Sequence, residues 1–118
     1  MPAVMIVHHE LFPAGYLLAL APTTAAATTP ETELEAYLAH ACRSGKPAVW
    51  VDCRLLDTLS TTATWLLWAC QQRLQRRHAR LVLYRVSDAV ERCLRHALAG
   101  TGAHLLIVPT LDDAAALA

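Results

Sequence analysis

The second half of the chain alternates short apolar runs with longer segments of helical character, and this alternation restricts the fold more than any other feature. The runs AVWVDC (residues 48–53), RLVLYRV (80–86) and HLLIVPT (104–110) predict strands. The segments between them are long enough to form helices, and a helix that connects two strands of one sheet makes those strands parallel. We therefore predict three parallel strands connected by helices.

Two further strand-like runs precede them, AVMIVHH (residues 3–9) and GYLLALA (15–21). Pro13 and Gly15 lie at their junction, and both residue types favour tight turns. Strands joined by a short turn pair antiparallel, so we predict a hairpin at the start of the chain.

Helix boundaries complete the predicted topology. Pro30 is typical of a first helical position, and Gly45 with Pro47 ends the helix that it begins. Residues typical of N-caps precede three of the helices: Thr29, Ser87 or Asp88, and Thr110. The order β-β-α-β-α-β-α-β-α predicts one α/β domain over residues 1–118, with the helices packed on a mixed sheet.

Apolar periodicity predicts the core of this domain. The helix residues expected to face the sheet are Leu34, Leu38, Leu66, Leu67, Leu94 and Leu98. The strand residues expected beneath them are Val49, Val51, Leu81, Leu83, Leu106 and Val108.

Composition excludes several classes of function. No apolar run approaches the roughly 20 residues needed to cross a bilayer, and the first residues lack the basic region of a secretion signal, so we expect no membrane insertion and a cytoplasmic location. The net charge is zero. The basic run RLQRRHAR (residues 73–80) is typical of the solvated end of a helix, so we expect no nucleic-acid partner.

The sequence also argues against metal, cofactor and enzyme chemistry. Its four cysteines, Cys42, Cys53, Cys70 and Cys93, form no CxxC motif and are expected to be reduced, mostly buried thiols. Adjacent His8 and His9 would point to opposite faces of a strand. The chain has no glycine-rich phosphate loop and no GxSxG motif, so we predict a non-enzymatic protein without cofactors.

The segment LSTTATWLLWACQQ (residues 59–72) predicts a helix that is apolar on almost every side. At about 100° per residue, the sheet-facing arc holds Ala63, Leu66, Leu67, Cys70 and Leu74, whereas Trp65 lies opposite with Thr61, Trp68 and Gln72 near it. Outward tryptophans on a helix favour a protein-docking surface. Two alternatives are that a loop or neighbouring helix covers them, or that a second copy does, as a homodimer.

Over nearly all of its length, and best from Val49 to Ala115, the chain resembles a STAS domain, the fold of bacterial anti-sigma factor antagonists. In that family an Asp-Ser-x-Gly motif begins a helix, and a partner kinase that is also the anti-sigma factor phosphorylates the serine. Counted from the strand end at Asp52, the motif's Asp falls on Ser60, its Ser on Thr61 and its Gly on Ala63. The resemblance thus implies a phospho-acceptor at Thr61, retained as a hydroxyl although every motif position differs.

The resemblance extends to the partner-binding residues. The phospho-acceptor candidates are Thr61, Ser60 and Thr62, which could instead serve only as helix caps. The residues expected to bind a partner, an anti-sigma factor and serine kinase or a related regulator, are Asp57, Thr61, Thr64, Trp65, Trp68 and Gln72.

Two other identities share features with this sequence. Within the STAS family, the alternative is the small cytosolic subunit of a lipid-trafficking ABC transporter, which would dock on the transporter ATPase. Outside it, a receiver domain shares a central strand ending at Asp52. A receiver needs an acidic pair for Mg²⁺ where this chain has His8 and His9, and a lysine where it has Pro109.

Overall fold

A computed structural model describes residues 3–23 and 30–117, and it contains all nine predicted elements in the predicted order. The strands are β1 (Ala3–Phe12), β2 (Gly15–Thr23), β3 (Ala48–Asp52), β4 (Arg80–Tyr84) and β5 (Leu106–Val108). The helices are α1 (Pro30–Arg43), α2 (Thr61–Gln75), α3 (Asp88–Leu98) and α4 (Leu111–Ala116). The expected N-cap Thr29 lies outside the described residues.

The strands form one five-stranded sheet in sequential order, β1-β2-β3-β4-β5. β1 and β2 pair antiparallel around the turn at Pro13 and Ala14, which confirms the predicted hairpin, and the other three pairings are parallel. The mixed sheet with packed helices is therefore the predicted fold class. It also excludes a receiver domain, whose strand order is 2-1-3-4-5.

Three helices cover one face of the sheet. Each of α1, α2 and α3 connects neighbouring parallel strands, and right-handed crossovers between strands taken in order place every connecting helix on the same side. Their buried side chains form one cluster with alternate strand residues: Tyr16, Leu18 and Leu20 of β2, Val49 and Val51 of β3, and Leu81 and Leu83 of β4. α4 packs on the opposite face, where Ala114 joins Leu17, Trp50, Val82 and Tyr84.

The outer strand β1 is irregular at Val7. Its pairing with β2 shifts between Ile6 and His8, which leaves Val7 as a β-bulge, 47% exposed. The backbone N–H of Ile6 donates a hydrogen bond to Glu33 Oε1 of α1 at 3.1 Å. A side chain of the first helix thus satisfies a backbone donor of the strand.

Most of the predicted core is buried, but the last strand faces the other way. Leu34, Leu38, Leu67, Leu94 and Leu98 are buried as expected, with Val49, Val51, Leu81 and Leu83 beneath them, whereas Leu66 is half-buried. Leu106 is 37% exposed, so its predicted burial is wrong; Leu105 is buried in its place. Ile107 and Val108 pack partly buried on opposite faces of the sheet. The prediction failed because LLIV is continuously apolar and carries no alternation to fix its register.

We expect Leu67→Ala to lower the free energy of unfolding by roughly 2–5 kcal/mol, because the side chain is fully buried at the centre of α2 and its removal leaves a cavity. The matched control Leu106→Ala should cost less than about 1 kcal/mol, since its side chain is partly solvated. Urea unfolding measures both. Equal costs for the two variants would contradict this assignment of faces.

A candidate protein-binding surface at the start of helix α2

The loop between β3 and α2 is anchored to the hydrophobic core. Leu56 and Leu59 are buried, which anchors the loop to the core on the helix-covered face. At its start, Asp52 Oδ1 accepts the backbone N–H of Arg54 at 2.9 Å, and the N–H of Cys53 donates to the carbonyl of Tyr84 at 3.1 Å. The loop therefore presents its remaining side chains from a fixed backbone.

Those remaining side chains are exposed and combine apolar with charged groups. Arg54 and Asp57 are exposed, as is Leu55, whose exposed fraction of 49% is large for a leucine. Asp57 was expected on this surface from the sequence, and it is accessible there. Leu55 was missed, because an isolated leucine in a loop carries no periodic signal.

Helix α2 begins with a side-chain cap. Ser60 lies in an extended conformation (φ −68°, ψ 157°), and its hydroxyl accepts the backbone N–H of Ala63 at 3.0 Å. Thr64 donates from its own hydroxyl to the carbonyl of Ser60 at 3.0 Å. Thr64 is fully buried, so its expected role in partner binding is wrong: its hydroxyl is satisfied within the helix and it offers no surface.

Thr61 and Thr62 are both exposed in the first turn of α2, which contains no acidic side chain. A helix N-terminus has unpaired backbone N–H groups and a partial positive charge, so an anion there is electrostatically favoured. Thr61 also borders a shallow groove of about 350 Å³ between α2 and α3, where Arg92 and His96 supply the polar side chains of the α3 side. Sequence reasoning missed these two residues, although their i, i+4 spacing places them on one side of a helix.

The two tryptophans are less exposed than the helical wheel indicated. Trp65 and Trp68 are both half-buried, pack against the main core cluster and contact each other edge to face, with ring centroids 5.5 Å apart and an interplanar angle of 83°. Trp68 and Gln72 line a second groove with the loop at Thr101 and Gly102. Thr61 therefore borders a different groove from Trp68 and Gln72, and the indoles belong partly to the core.

Asp52 has a structural partner that the sequence did not indicate. It lies opposite Tyr84 in the β3–β4 register, so the two residues are neighbours across the parallel strands. Burial and, after it, the negative charge of Asp52 and hydrogen bonding with that carboxylate raise the pKa of Tyr84 to about 12. The pair joins the ends of two parallel strands directly below the loop.

Residues 3–23 and 30–117 contain no group of three or more His, Cys, Asp or Glu side chains placed to hold a metal ion. Within the same ranges, no helix has both the length and the apolar character of a membrane span.

Solved structures share this architecture over nearly the whole chain. A serine-to-glutamate variant of RsbS from Moorella thermoacetica is 16% identical, with a TM-score of 0.74 over 94% of this chain and 95% of that one. An anti-sigma factor antagonist from Mycobacterium paratuberculosis is 19% identical, with a TM-score of 0.73 over 98% and 93%. The chain has a STAS-like fold. Unphosphorylated SpoIIAA, also an anti-sigma factor antagonist, aligns at a TM-score of 0.70 and 13% identity over 91% and 90%.

Comparisons of sequence, unlike those of structure, gave no relative of this STAS-like domain. Neither the protein-family models nor the curated proteins gave a match. The similarity to known proteins is therefore a similarity of fold.

We expect Trp65→Ala and Trp68→Ala each to lower the free energy of unfolding by about 1–3 kcal/mol, which is less than for a fully buried tryptophan because half-burial removes less packing. Leu55→Ala should change it by less than about 0.5 kcal/mol, since its side chain is largely solvated. Denaturant unfolding followed by near-UV circular dichroism measures both effects. Tryptophan variants as stable as the parent would show that the indoles do not contribute to the core.

Proposed function

We propose that this STAS-like domain is a non-enzymatic regulatory module of the anti-sigma factor antagonist type. It binds a protein partner in the cytoplasm through the switch surface, which we define as Leu55, Asp57 and Thr61. The observation that carries the proposal is that Thr61 is exposed at the N-terminus of α2, six positions after an exposed leucine on an anchored loop.

The chemistry of the switch surface suits a regulated protein contact. Leu55 supplies apolar area that a partner would remove from water, and Asp57 supplies a charge that selects a complementary partner. The backbone beneath is held by Leu56 and Leu59, so little ordering is required on binding. The likeness to anti-sigma factor antagonists supports the same type of partner, an anti-sigma factor with serine kinase activity or a related regulator.

Phosphorylation of Thr61 would control that contact. A phosphate adds close to two negative charges at pH 7. At this position it meets the positive end of α2, with the Arg92 guanidinium and the His96 imidazole across the groove. The fold can therefore hold the phosphate without unfolding. A partner that covers both Leu55 and the first turn of α2 would have to desolvate the phosphate, which weakens binding unless the partner supplies its own cation.

The test compares capture of cytoplasmic proteins by the parent chain and by four variants: Leu55→Ala, Thr61→Glu, Thr61→Ala and Thr62→Glu. We expect Leu55→Ala and Thr61→Glu each to reduce recovery of the partner at least tenfold, and Thr61→Ala to retain it. Thr62→Glu is the matched control, because it places the same charge in the same helical turn without bordering the Arg92 groove. Quantitative mass spectrometry measures recovery, and intact mass of the chain from its native cell reports phosphorylation.

Three results would contradict the proposal. Equal capture by all five proteins would exclude the switch surface as the binding site. An unmodified native chain together with equal capture by Thr61→Glu and Thr61→Ala would leave Thr61 as a first-turn residue without a regulatory role. Recovery of a transporter ATPase that is insensitive to Thr61 would instead favour the ABC-transporter subunit.

A further inference from the structure

Two cysteines from different helices face each other at the α1–α2 contact. Cys42 Sγ lies 3.2 Å from Cys70 Sγ, although 28 residues separate them in sequence. Each sulfur also lies 3.9 Å from a backbone carbonyl of the other helix, Cys42 Sγ from that of Cys70 and Cys70 Sγ from that of Leu38. Both side chains therefore point across the helix contact and toward one another.

This arrangement differs from that of the other two cysteines. Cys53 is fully buried, and its thiol donates to the carbonyl of Val51 two residues earlier. Cys93 belongs to α3 and borders the groove beside Thr61. All four thiols are free. The two sulfurs of the α1–α2 pair have to approach by only about 1 Å to reach the bonding distance of a disulfide.

Accessibility and charge give the two thiols different roles. Cys42 is half-buried and is the more accessible of the two residues, whereas Cys70 is 3% exposed. Burial and the hydrogen bond with Cys42 raise the pKa of the Cys70 thiol, and the nearby Arg73 and Arg77 guanidinium groups oppose that rise. Cys42 is thus the first to meet an oxidant, and Cys70 remains a thiol until its partner sulfur is activated.

We propose that Cys42 and Cys70 are a redox modification site that forms a reversible disulfide with a peroxide as oxidant. The Cys42 thiolate attacks one peroxide oxygen, the O–O bond breaks, and with hydrogen peroxide a sulfenic acid and, after protonation, one water result. The Cys70 sulfur then attacks Cys42 Sγ, and the S–O bond breaks. The departing hydroxide takes the Cys70 proton and leaves as a second water. Two thiols are oxidised and one peroxide is reduced to two waters.

The disulfide would join the end of α1 to the second half of α2 and close a loop that contains β3. A cross-link of this kind restricts the unfolded chain, so the oxidised domain should resist unfolding more strongly than the reduced one. The disulfide would restrain α2, the helix that begins at Thr61. This site is independent of the proposed phosphorylation.

The test treats the full reduced chain with hydrogen peroxide, unfolds it, alkylates the remaining thiols and measures the intact mass and the cross-linked peptides. We expect the number of alkylated cysteines to fall from four to two, with one cross-link between the Cys42 and Cys70 peptides that dithiothreitol reverses. The oxidised chain should also show a higher thermal midpoint. Cys93→Ser is the matched control and should form the same cross-link, whereas Cys42→Ser should form none and show no rise in midpoint.

The proposal is overturned if all four thiols of the parent remain alkylatable, or if the cross-link joins other cysteines. Oxidation of Cys42 to a sulfinic acid without a cross-link would overturn it equally. Cys42→Ala provides a second variant if Cys42→Ser does not fold, because alanine places no hydroxyl at the helix contact. Since neither readout uses a partner, failure here leaves the proposed binding function intact, and the converse also holds.

Discussion

The sequential order of five strands is the constraint on which the rest of this structure depends. Because each crossover connects immediate neighbours, α1, α2 and α3 lie side by side on one face, and α2 occupies the middle position. A helix in that position contacts the sheet below and a helix on each side. This explains why α2 is apolar on almost every side, and why Trp65 and Trp68 are half-buried rather than fully outward.

The same position gives the two ends of α2 different surroundings. Its first turn emerges at the edge where the parallel strands end, next to the loop anchored by Leu56 and Leu59, so Thr61 is accessible. Loops at this edge of α/β sheets commonly carry binding functions, because the strands fix their ends. Its second half packs on α1, where Cys70 meets Cys42. One helix therefore carries both a candidate binding residue and a candidate oxidation site.

The sequence was sufficient to predict the features that depend on neighbouring residues, namely turns and helix caps. Turn residues located the hairpin, and the hydroxyls of Ser87 and Thr110 accept the first helical N–H groups as expected. It was not sufficient where tertiary packing determines which side chains are buried. The apolar run at and just before β5 has no alternation, so the sequence did not show that Leu105 is buried and Leu106 exposed. Thr64 was expected on the surface because composition cannot reveal that the hydroxyl of a buried residue is satisfied within its own helix. Leu55 left no periodic signal, and the periodicity that placed Cys70 on the sheet-facing arc did not indicate its contact with Cys42 of α1.

The hydrogen bond from Ile6 to Glu33 has a consequence for how copies of this domain behave at high concentration. An unpaired outer strand normally offers its backbone to another chain, which is a common route to aggregation. Here the Glu33 carboxylate already accepts a hydrogen bond from one backbone N–H of β1, and the bulge at Val7 bends the strand. At the other edge of the sheet, β5 has only three residues. Extension of the sheet from one molecule into the next would first have to displace Glu33 and straighten that bulge. The architecture thus disfavours fibre-like polymerisation through the edges of the sheet.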